Sequence, residues 1–365
     1  MVKILAINPG STSTKVAVME LNLDTTVEKE MITQAFSTNI KHSSETIDQF
    51  KRISDQFQWR KQCILDELKA NNINISEIQY VIGRGGLIKS IQSGIYRIND
   101  ALLNDLKIGY NGEHAANLGG LIADDIAKSL GVEAFTADPP VVDELDELAR
   151  VAGHPLFERK SIFHALNQKA IARTYAKRVQ KNYDDLNLIV VHMGGGISVG
   201  THRKGMTIDV NQALNGEGPF SPERSGTLPV CDVIKVCFSG KYSEEEINKM
   251  IVGKGGYVGY LGTNNALEVE QRRTAGDKDA ILYSSAMAYQ IAKEVGSSAT
   301  VLKGEVDAIL LTGGMAYDKQ FVQEIADRIK FIAPVESFPG EDEMHALAFN
   351  VYLMLKKEIP CRDYK

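Results

Sequence analysis

Little in this 365-residue sequence belongs to a protein that is held by disulfides, crosses a membrane or grips nucleic acid over a broad face. Only four cysteines occur, Cys63, Cys231, Cys237 and Cys361, and no pair has zinc-ligand spacing. Read as small buried or surface thiols, they suit a reducing cytosol. Positive charge is in deficit: 41 Lys and Arg against 47 Asp and Glu leave a net charge of −6. That balance gives no support to a nucleic-acid partner, while a local basic site inside a cleft stays open. No apolar run approaches the ~18 residues that span a bilayer, so no membrane partner is expected. The short apolar run after Met1-Val2-Lys3 ends at Asn8-Pro9-Gly10 without a small-residue cleavage site, so no export signal is expected either, and the location reads as cytoplasmic. Two phosphate motifs are also missing. Neither G-x-x-x-x-G-K-[ST] nor a G-x-G-x-x-G after a strand occurs, which excludes the usual P-loop and dinucleotide sites.

What is present is one design used three times. Ile4-Leu5-Ala6-Ile7 runs into Asn8-Pro9-Gly10-Ser11-Thr12-Ser13-Thr14-Lys15. Leu188-Ile189-Val190-Val191 runs into His192-Met193-Gly194-Gly195-Gly196, and Ala308-Ile309-Leu310-Leu311 into Thr312-Gly313-Gly314. After the first two turns a second apolar run follows, Val16 to Met19 and Ile197 to Gly200, so each is a hairpin. Its tip offers backbone N–H groups and hydroxyls with little side-chain bulk, which is what a phosphate needs. Any one of these turns is also an ordinary hairpin tip. Three in this order point to a two-lobed nucleotide phosphotransferase.

The length exceeds one typical domain, and 44% apolar with 24% charged residues is the balance of a soluble globular enzyme. The first half reads as mixed α/β. Strands flank the Asn8–Lys15 turn, a third is expected over Glu28 to Ser37, and helices over Phe57 to Leu68 and His114 to Leu130, the latter closed by Gly131. The chain changes character around Gly153-His154-Pro155, the expected lobe boundary. Beyond it come helices over Phe163 to Val179, Ala280 to Leu302, Asp318 to Ile329 and Glu343 to Lys356. The echo of the first hairpin in the second suggests two related lobes.

Several polar residues stand out, each with a plain alternative. Arg84 sits among Gly83, Gly85 and Gly86 directly after a strand, and Arg224 lies in the Pro- and Gly-rich run from Gly218 to Thr227. Loop arginines are commonly solvated charges, yet two framed by glycine suggest planar forks aimed at carboxylate or phosphate. His164 reads equally as a core histidine, Asp138 before two prolines as a turn former, and Glu341-Asp342-Glu343 as the acidic start of a helix.

Together these residues resemble the acetate kinase family of the actin-like ATPase superfamily. The closer likeness is to butyrate kinases and branched-chain carboxylic acid kinases, and it runs over essentially the whole chain. The family opens with Asn-x-Gly-Ser-Ser-Ser-x-Lys, matched from Asn8 to Lys15 with Thr12 in the middle. Gly83 to Gly86, Asp138 to Glu144, Ser161 to Gln168 and Pro222 to Pro229 look like the butyrate kinase versions. Where acetate kinases read Gly-Thr-Ser-His after the histidine, Ala165-Leu166-Asn167-Gln168 stands here. Their His-Leu-Gly-Asn-Gly becomes His192 to Gly196, and their Gly-Ile-Gly-Glu-Asn becomes Gly313-Gly314-Met315-Ala316. These departures favour a longer or branched acid over acetate.

The resemblance implies an α/β fold of two actin-like (ribonuclease H-like) lobes with a nucleotide cleft between them. Residues 1–153 plus 344–365 would form the substrate side and 154–343 the nucleotide-binding side. It implies ATP + butanoate (or a branched-chain acid) = ADP + acyl phosphate, with Mg2+ accompanying ATP, a short-chain fatty acid as the other substrate, and a homodimer or higher homo-oligomer. Arg84 would hold the carboxylate, Arg224 and His164 the transferring phosphoryl oxygens, and Asp138 the substrate or the metal surroundings. Asn8, Ser11, Ser13, Lys15, His192 and Gly194 to Gly196 would contact the phosphates. Thr312, Gly313, Gly314 and Met315 would lie against adenosine, with Glu343 reaching the metal through water. Lobe closure would exclude water. The alternatives are an acetate or propionate kinase of the same family, a sugar-type kinase using Asp138 as base, and a non-metabolic actin-like ATPase, for which the sequence shows no appended client-binding domain.

Overall fold

The computed structural model describes residues 1–25 and 27–365. Its contacts divide the chain into two units, Met1–Val142 with Asp342–Lys365, and Asp143–Glu341.

In the first unit β1 (Val2–Pro9), β2 (Ser13–Leu21) and β3 (Ile32–Lys41) form an antiparallel meander. β4 (Tyr80–Arg84) runs parallel to β1, and β6 (Glu133–Ala137) parallel to β4. β5 (Ile95–Arg97) and β12 (Cys361–Asp363) extend the sheet beyond β6, in the order β12-β5-β6-β4-β1-β2-β3. Ile4 to Ile7 are all fully buried, so the strand reads as one apolar run because both faces are covered. Leu5, Ile7, Val16 and Val18 share a core with Leu118, Leu121 and Ile122 of the helix Asn117–Leu130. The helix Glu343–Leu355 packs on β1, β2 and β4. The third strand starts later than its sequence suggests. Glu28–Met31 makes one helical turn, and the ladder begins where Ile32 is buried and pairs with Leu21.

In the second unit β7 (Asn187–Met193), β8 (Ile197–Arg203) and β9 (Met206–Val210) form a second meander. β10 (Ala308–Gly313) and β11 (Val335–Pro339) add in parallel beside β7, giving the order β11-β10-β7-β8-β9. Alternate residues of β7 serve opposite faces. Leu188 and Val190 meet Ala172 and Tyr175 of the helix Ala165–Arg178. Ile189 and Val191 meet Met287, Ile291 and Val295 of the helix Lys278–Val301. Both sheets set a meander beside two strands parallel to the first strand: the second unit reads 3-2-1-4-5 counted from its own first strand, and in the first unit β3-β2-β1-β4-β6 is followed by β5 and β12. Each hairpin is therefore the start of its own sheet. Among the described residues no helix is long and apolar enough to cross a membrane.

β12 is fastened by the residue after it. Tyr364, 4% exposed, donates its hydroxyl proton to Asp105 Oδ2 at 2.6 Å and accepts from the Lys89 N–H at 3.1 Å. Burial, with the bond to Asp105, holds the phenol well above its usual pKa, so it stays a donor. Tyr364→Phe leaves the buried Asp105 carboxylate without this donor and is expected to destabilise the first unit by about 1–3 kcal/mol, read as a lower urea midpoint. An unchanged midpoint would show that Lys89, 3.4 Å from Asp105, suffices.

Candidate active site

In the first unit the candidate residues gather where β1, β4 and β6, all parallel, end together. That edge is where open α/β sheets bind ligands. Asn8 near the end of β1 pairs with Lys15 across the hairpin, and the Gly10 N–H closes the turn on the Ser13 carbonyl at 2.7 Å. Arg84 ends β4. Its guanidinium forms an ion pair with Glu343 and reaches Asn8 Oδ1 at 3.4 Å, while the Asn8 amide donates to Glu343. Asn8, Arg84 and Glu343 thus form one hydrogen-bonded triangle, with Glu343 in the first turn of its helix. Asp138 follows β6 directly. It is 1% exposed and holds φ at 40°, a strained value for a residue with a side chain. Gly94 clamps it there: the Gly94 N–H donates to Asp138 Oδ1 at 2.7 Å, and the Asp138 N–H donates back to the Gly94 carbonyl at 3.1 Å.

A residue the sequence reading missed holds the hairpin tip in shape. Arg60, 1% exposed on the helix Phe57–Ala70, donates from Nη1 to the carbonyls of Gly10 (2.7 Å) and Ser13 (3.1 Å) and to Thr14 Oγ1 (3.2 Å). Its Nη2 donates to the Ser11 carbonyl at 3.0 Å and its Nε to Gln56 at 2.9 Å. The carbonyls are turned toward the guanidinium, and Ser11 and Thr12 stay exposed at the tip. An arginine inside an apolar-periodic helix was the available signal.

In the second unit the ends of β7 and β10 play the corresponding part. His192 on β7 pairs with Ser198 across the hairpin and with Thr312 on β10. The His164 ring, just before the helix Ala165–Arg178, stacks on that of His192 with centroids 3.9 Å apart and planes 12° from parallel. His192 Nδ1 meets Asn167 Oδ1 at 2.9 Å, and its Nε2 lies 3.2 Å from Glu341. At the tip, the Ser221 hydroxyl donates to the Gly195 carbonyl at 2.6 Å and accepts from the Arg224 N–H at 3.1 Å. Gly196 is bare because a Cβ there would run into the Arg224 guanidinium. Arg224 donates from Nη1 to the Ala213 carbonyl, but its buried Nε has no partner among the described residues. Burial lowers its pKa below the ordinary arginine value, with Glu223 partly offsetting, so the group stays charged while short of acceptors. A buried guanidinium left this way suits an arriving anion.

Beside them, Thr312 donates to the Gly340 carbonyl at 3.1 Å, and Gly313 pairs with Gly340. Gly314 and Met315 then line a cavity of about 280 Å³ with Tyr257, Ser284, Tyr317, Asp318 and Phe321. Mostly apolar walls with a few polar groups are what a planar base needs. No group of three or more His, Cys, Asp or Glu suited to a metal occurs among the described residues. Glu343 is a single carboxylate already engaged by Arg84 and Asn8. It fits a metal that arrives with a phosphate ligand and is held through water, not one caged by protein.

The strand orders of the two units are those of an actin-like α/β fold. The solved structures bear out that fold. Porphyromonas gingivalis acetate kinase superposes with a TM-score of 0.77 at 18% identity, over 97% of this chain and 100% of that one. A propionate kinase from Francisella tularensis superposes with a TM-score of 0.73 at 19% identity, over 96% and 99%. In sequence, residues 151–333 match the model of the acetokinase family. Butyrate kinase 2 of Clostridium acetobutylicum is 54% identical over 363 residues, covering 100% of this chain and 99% of that protein. Butyrate kinase 1 of the same organism is 53% identical over 365 residues, covering both chains fully. The chain belongs to the acetokinase family.

The Arg60 cluster carries a pH signature. His42, 7% exposed, shares Thr14 with Arg60, its Nε2 lying 2.8 Å from Thr14 Oγ1. Burial, with help from the Arg60 charge, pushes its pKa down to about 4 from the ordinary 6.5. Below pH 6.5 the unfolded chain takes up a proton that the folded unit refuses, so stability falls as pH drops from 6.5 toward 4, by at most about 3 kcal/mol. Urea midpoints at pH 7 and pH 5 should therefore fall further for the natural protein than for His42→Gln. Equal falls would assign the acid sensitivity to carboxylates alone.

Proposed function

We propose that this chain transfers the γ-phosphoryl group of MgATP to a short-chain carboxylate, with butanoate or a branched acid of similar length preferred: ATP + butanoate = ADP + butanoyl phosphate. The observation that carries this reading is the full-length identity of 54% to a protein named butyrate kinase. The site chemistry agrees with it. A carboxylate is already ionised at neutral pH, so its oxygen attacks phosphorus without a base. The new C–O–P link forms as the bond to the β-phosphate oxygen breaks, and ADP leaves with the electron pair. No proton moves. The difficulty is bringing anion to anion, and the protein answers with fixed positive charge and aimed donors.

Roles follow from what each side chain already holds. Arg84 binds the acid's carboxylate, which takes the place of Glu343 as the partner of its guanidinium. Glu343, so released, would be the residue to hold the magnesium of MgATP, whose charge would offset that of the phosphates. Asn8, Ser11, Ser13 and Lys15 contact the transferring phosphoryl group, and Asp138 orients the acid from its clamp on Gly94. Arg224 offers its unpartnered Nε to equatorial phosphoryl oxygens, with His164 adding a donor. His192 and Gly194 to Gly196 line the phosphates, and Thr312 to Met315 border the cavity that takes adenosine. The unit Met1–Val142 with Asp342–Lys365 is thus the acid side and Asp143–Glu341 the nucleotide side. A cytoplasmic location is the reading that agrees with a substrate such as ATP. A homo-oligomer is supported by the helix Val230–Cys237, which buries no residue and exposes Val230 and Ile234, with Phe238 exposed directly after it.

With Mg-ATP and hydroxylamine trapping of the acyl phosphate, acetate, butanoate, isobutanoate and isovalerate should all react. Four- or five-carbon acids should give the highest kcat/KM. Discrimination stays modest, since a methylene in an apolar pocket is worth only ~1–3 kcal/mol. Acetate equal to or better than butanoate would overturn the chain-length assignment, and silence with every acid would overturn the reaction.

The two arginines should separate kinetically. Arg224→Ala is expected to lower kcat by on the order of 10²–10³ with little change in the KM for ATP, because its contact strengthens in the transition state. Arg84→Ala should raise the acid's KM as well as lower kcat. Lysine at either position should rescue poorly, since an ammonium lacks the planar fork. Near-normal kinetics in folded Arg224→Ala would remove that residue from the mechanism.

A further inference from the structure

We propose that a buried chain of hydrogen bonds through Tyr183, His202, Gln168 and Ser198 fixes His164 as a neutral imidazole with its proton on Nε2, making it a hydrogen-bond donor to the phosphoryl group. This rests on the reading above that His164 faces that group. The order of donors can be worked out from one end. Gln168 Nε2 lies 3.1 Å from the Ser198 backbone carbonyl, which only accepts, so the atom there is the amide nitrogen. The amide oxygen of Gln168 therefore faces His202 Nε2, at 2.9 Å, and that nitrogen must carry a proton. His202 is wholly buried, and burial together with the Lys169 charge holds its pKa well below the ordinary value, so the ring is neutral. Its Nδ1 then accepts from the Tyr183 hydroxyl at 2.6 Å.

The other end is fixed by the same logic. The second N–H of Gln168 points to Ser198 Oγ at 2.8 Å, and Ser198 is fully buried on β8. Having accepted from Gln168, the hydroxyl gives its own proton to the His164 Nδ1, 2.9 Å away. The reverse arrangement would leave that hydroxyl proton without an acceptor inside the core, a costlier state. His164 thus accepts at Nδ1 and carries its proton at Nε2. The His192 ring stacks on it 3.9 Å away, with Glu341 3.2 Å from the His192 Nε2. A carboxylate nucleophile needs a donor here and no base, which is what this tautomer supplies. Tyr183, His202, Gln168 and Ser198 are positioning residues. They act on the reaction only through His164.

The test joins a spectroscopic readout to kinetics on the full chain. Nitrogen-15 NMR of histidine-labelled protein reads the tautomer directly, with His164 identified by the signal lost in His164→Gln. The natural protein should show Nε2 protonated and Nδ1 bare. Ser198→Ala removes the Nδ1 donor and Gln168→Met frees Ser198 to accept. Either should move the proton toward Nδ1 and lower kcat by roughly tenfold or more, with little change in either KM. Ser198→Thr, which keeps the hydroxyl, should retain the tautomer and most of kcat. If Ser198→Ala does not fold, Gln168→Met carries the test. An unmoved tautomer in both variants, or a moved one with unchanged kcat, would overturn the proposal. Normal kcat in His164→Ala would instead overturn the role given to His164 itself.

Discussion

A guanidinium taken out of water must find acceptors, and how two arginines meet that demand decides what their surroundings can do. Arg60 is well supplied. All three of its nitrogens are engaged, and three of its five contacts are to the backbone carbonyls of Gly10, Ser11 and Ser13. It is a strut, and the hairpin tip takes its shape from it. Arg224 is left short, with one carbonyl from Ala213 and a buried Nε facing no described partner. Desolvation has been imposed on it without full compensation, so an anion that arrives meets a charge already in place. The glycines follow from the same demand, since Gly196 has no side chain where the Arg224 guanidinium lies.

Arg84 lies between these extremes. Its acceptor is a side chain, Glu343, and a carboxylate can be exchanged for another carboxylate at little electrostatic cost. In the role proposed for Arg84, a substrate acid would offer the same two oxygens that Glu343 now offers. The ion pair with Glu343 meanwhile keeps Arg84 oriented and compensated. Asp138 serves differently. Its φ of 40° is held by a reciprocal pair of bonds with Gly94, so its carboxylate direction is set by backbone, not by another charge.

Much of the architecture was legible in the sequence because both sheets are covered on two faces. Ile4 to Ile7 and Leu188 to Val191 read as unbroken apolar runs, and the turns that follow are too small and polar to be anything but tips. Helix ends marked by local chemistry were legible as well, as at Gly131, where φ is 70°. The start of β3 was not, because Glu28 to Met31 carries no breaker and only pairing of Ile32 with Leu21 decides where the ladder begins. In the candidate site, the residues that the sequence singles out stand next to glycine-rich turns. Arg60 was marked only by its place on the buried stripe of its helix with Ile64 and Leu68, and Ser198 and Gln168 by nothing local. Their contacts join residues 30 or more positions apart.

The substitutions that set this chain apart from acetate kinases take on a different meaning once their contacts are known. Asn167 and Gln168 stand where those enzymes read Ser-His. Here both are buried, Asn167 against His192 and Gln168 against Ser198 and His202. Their amides point at histidines and a serine within one unit, not at a pocket for an alkyl chain. Replacing a histidine by Gln168 exchanges a ring that titrates for an amide that cannot, beside Ser198 and His202. Those differences therefore bear on how firmly the histidines are held during phosphoryl transfer. Preference for a longer acid has to come from apolar residues around the acid itself, which makes it separable by mutation from the machinery that moves the phosphoryl group.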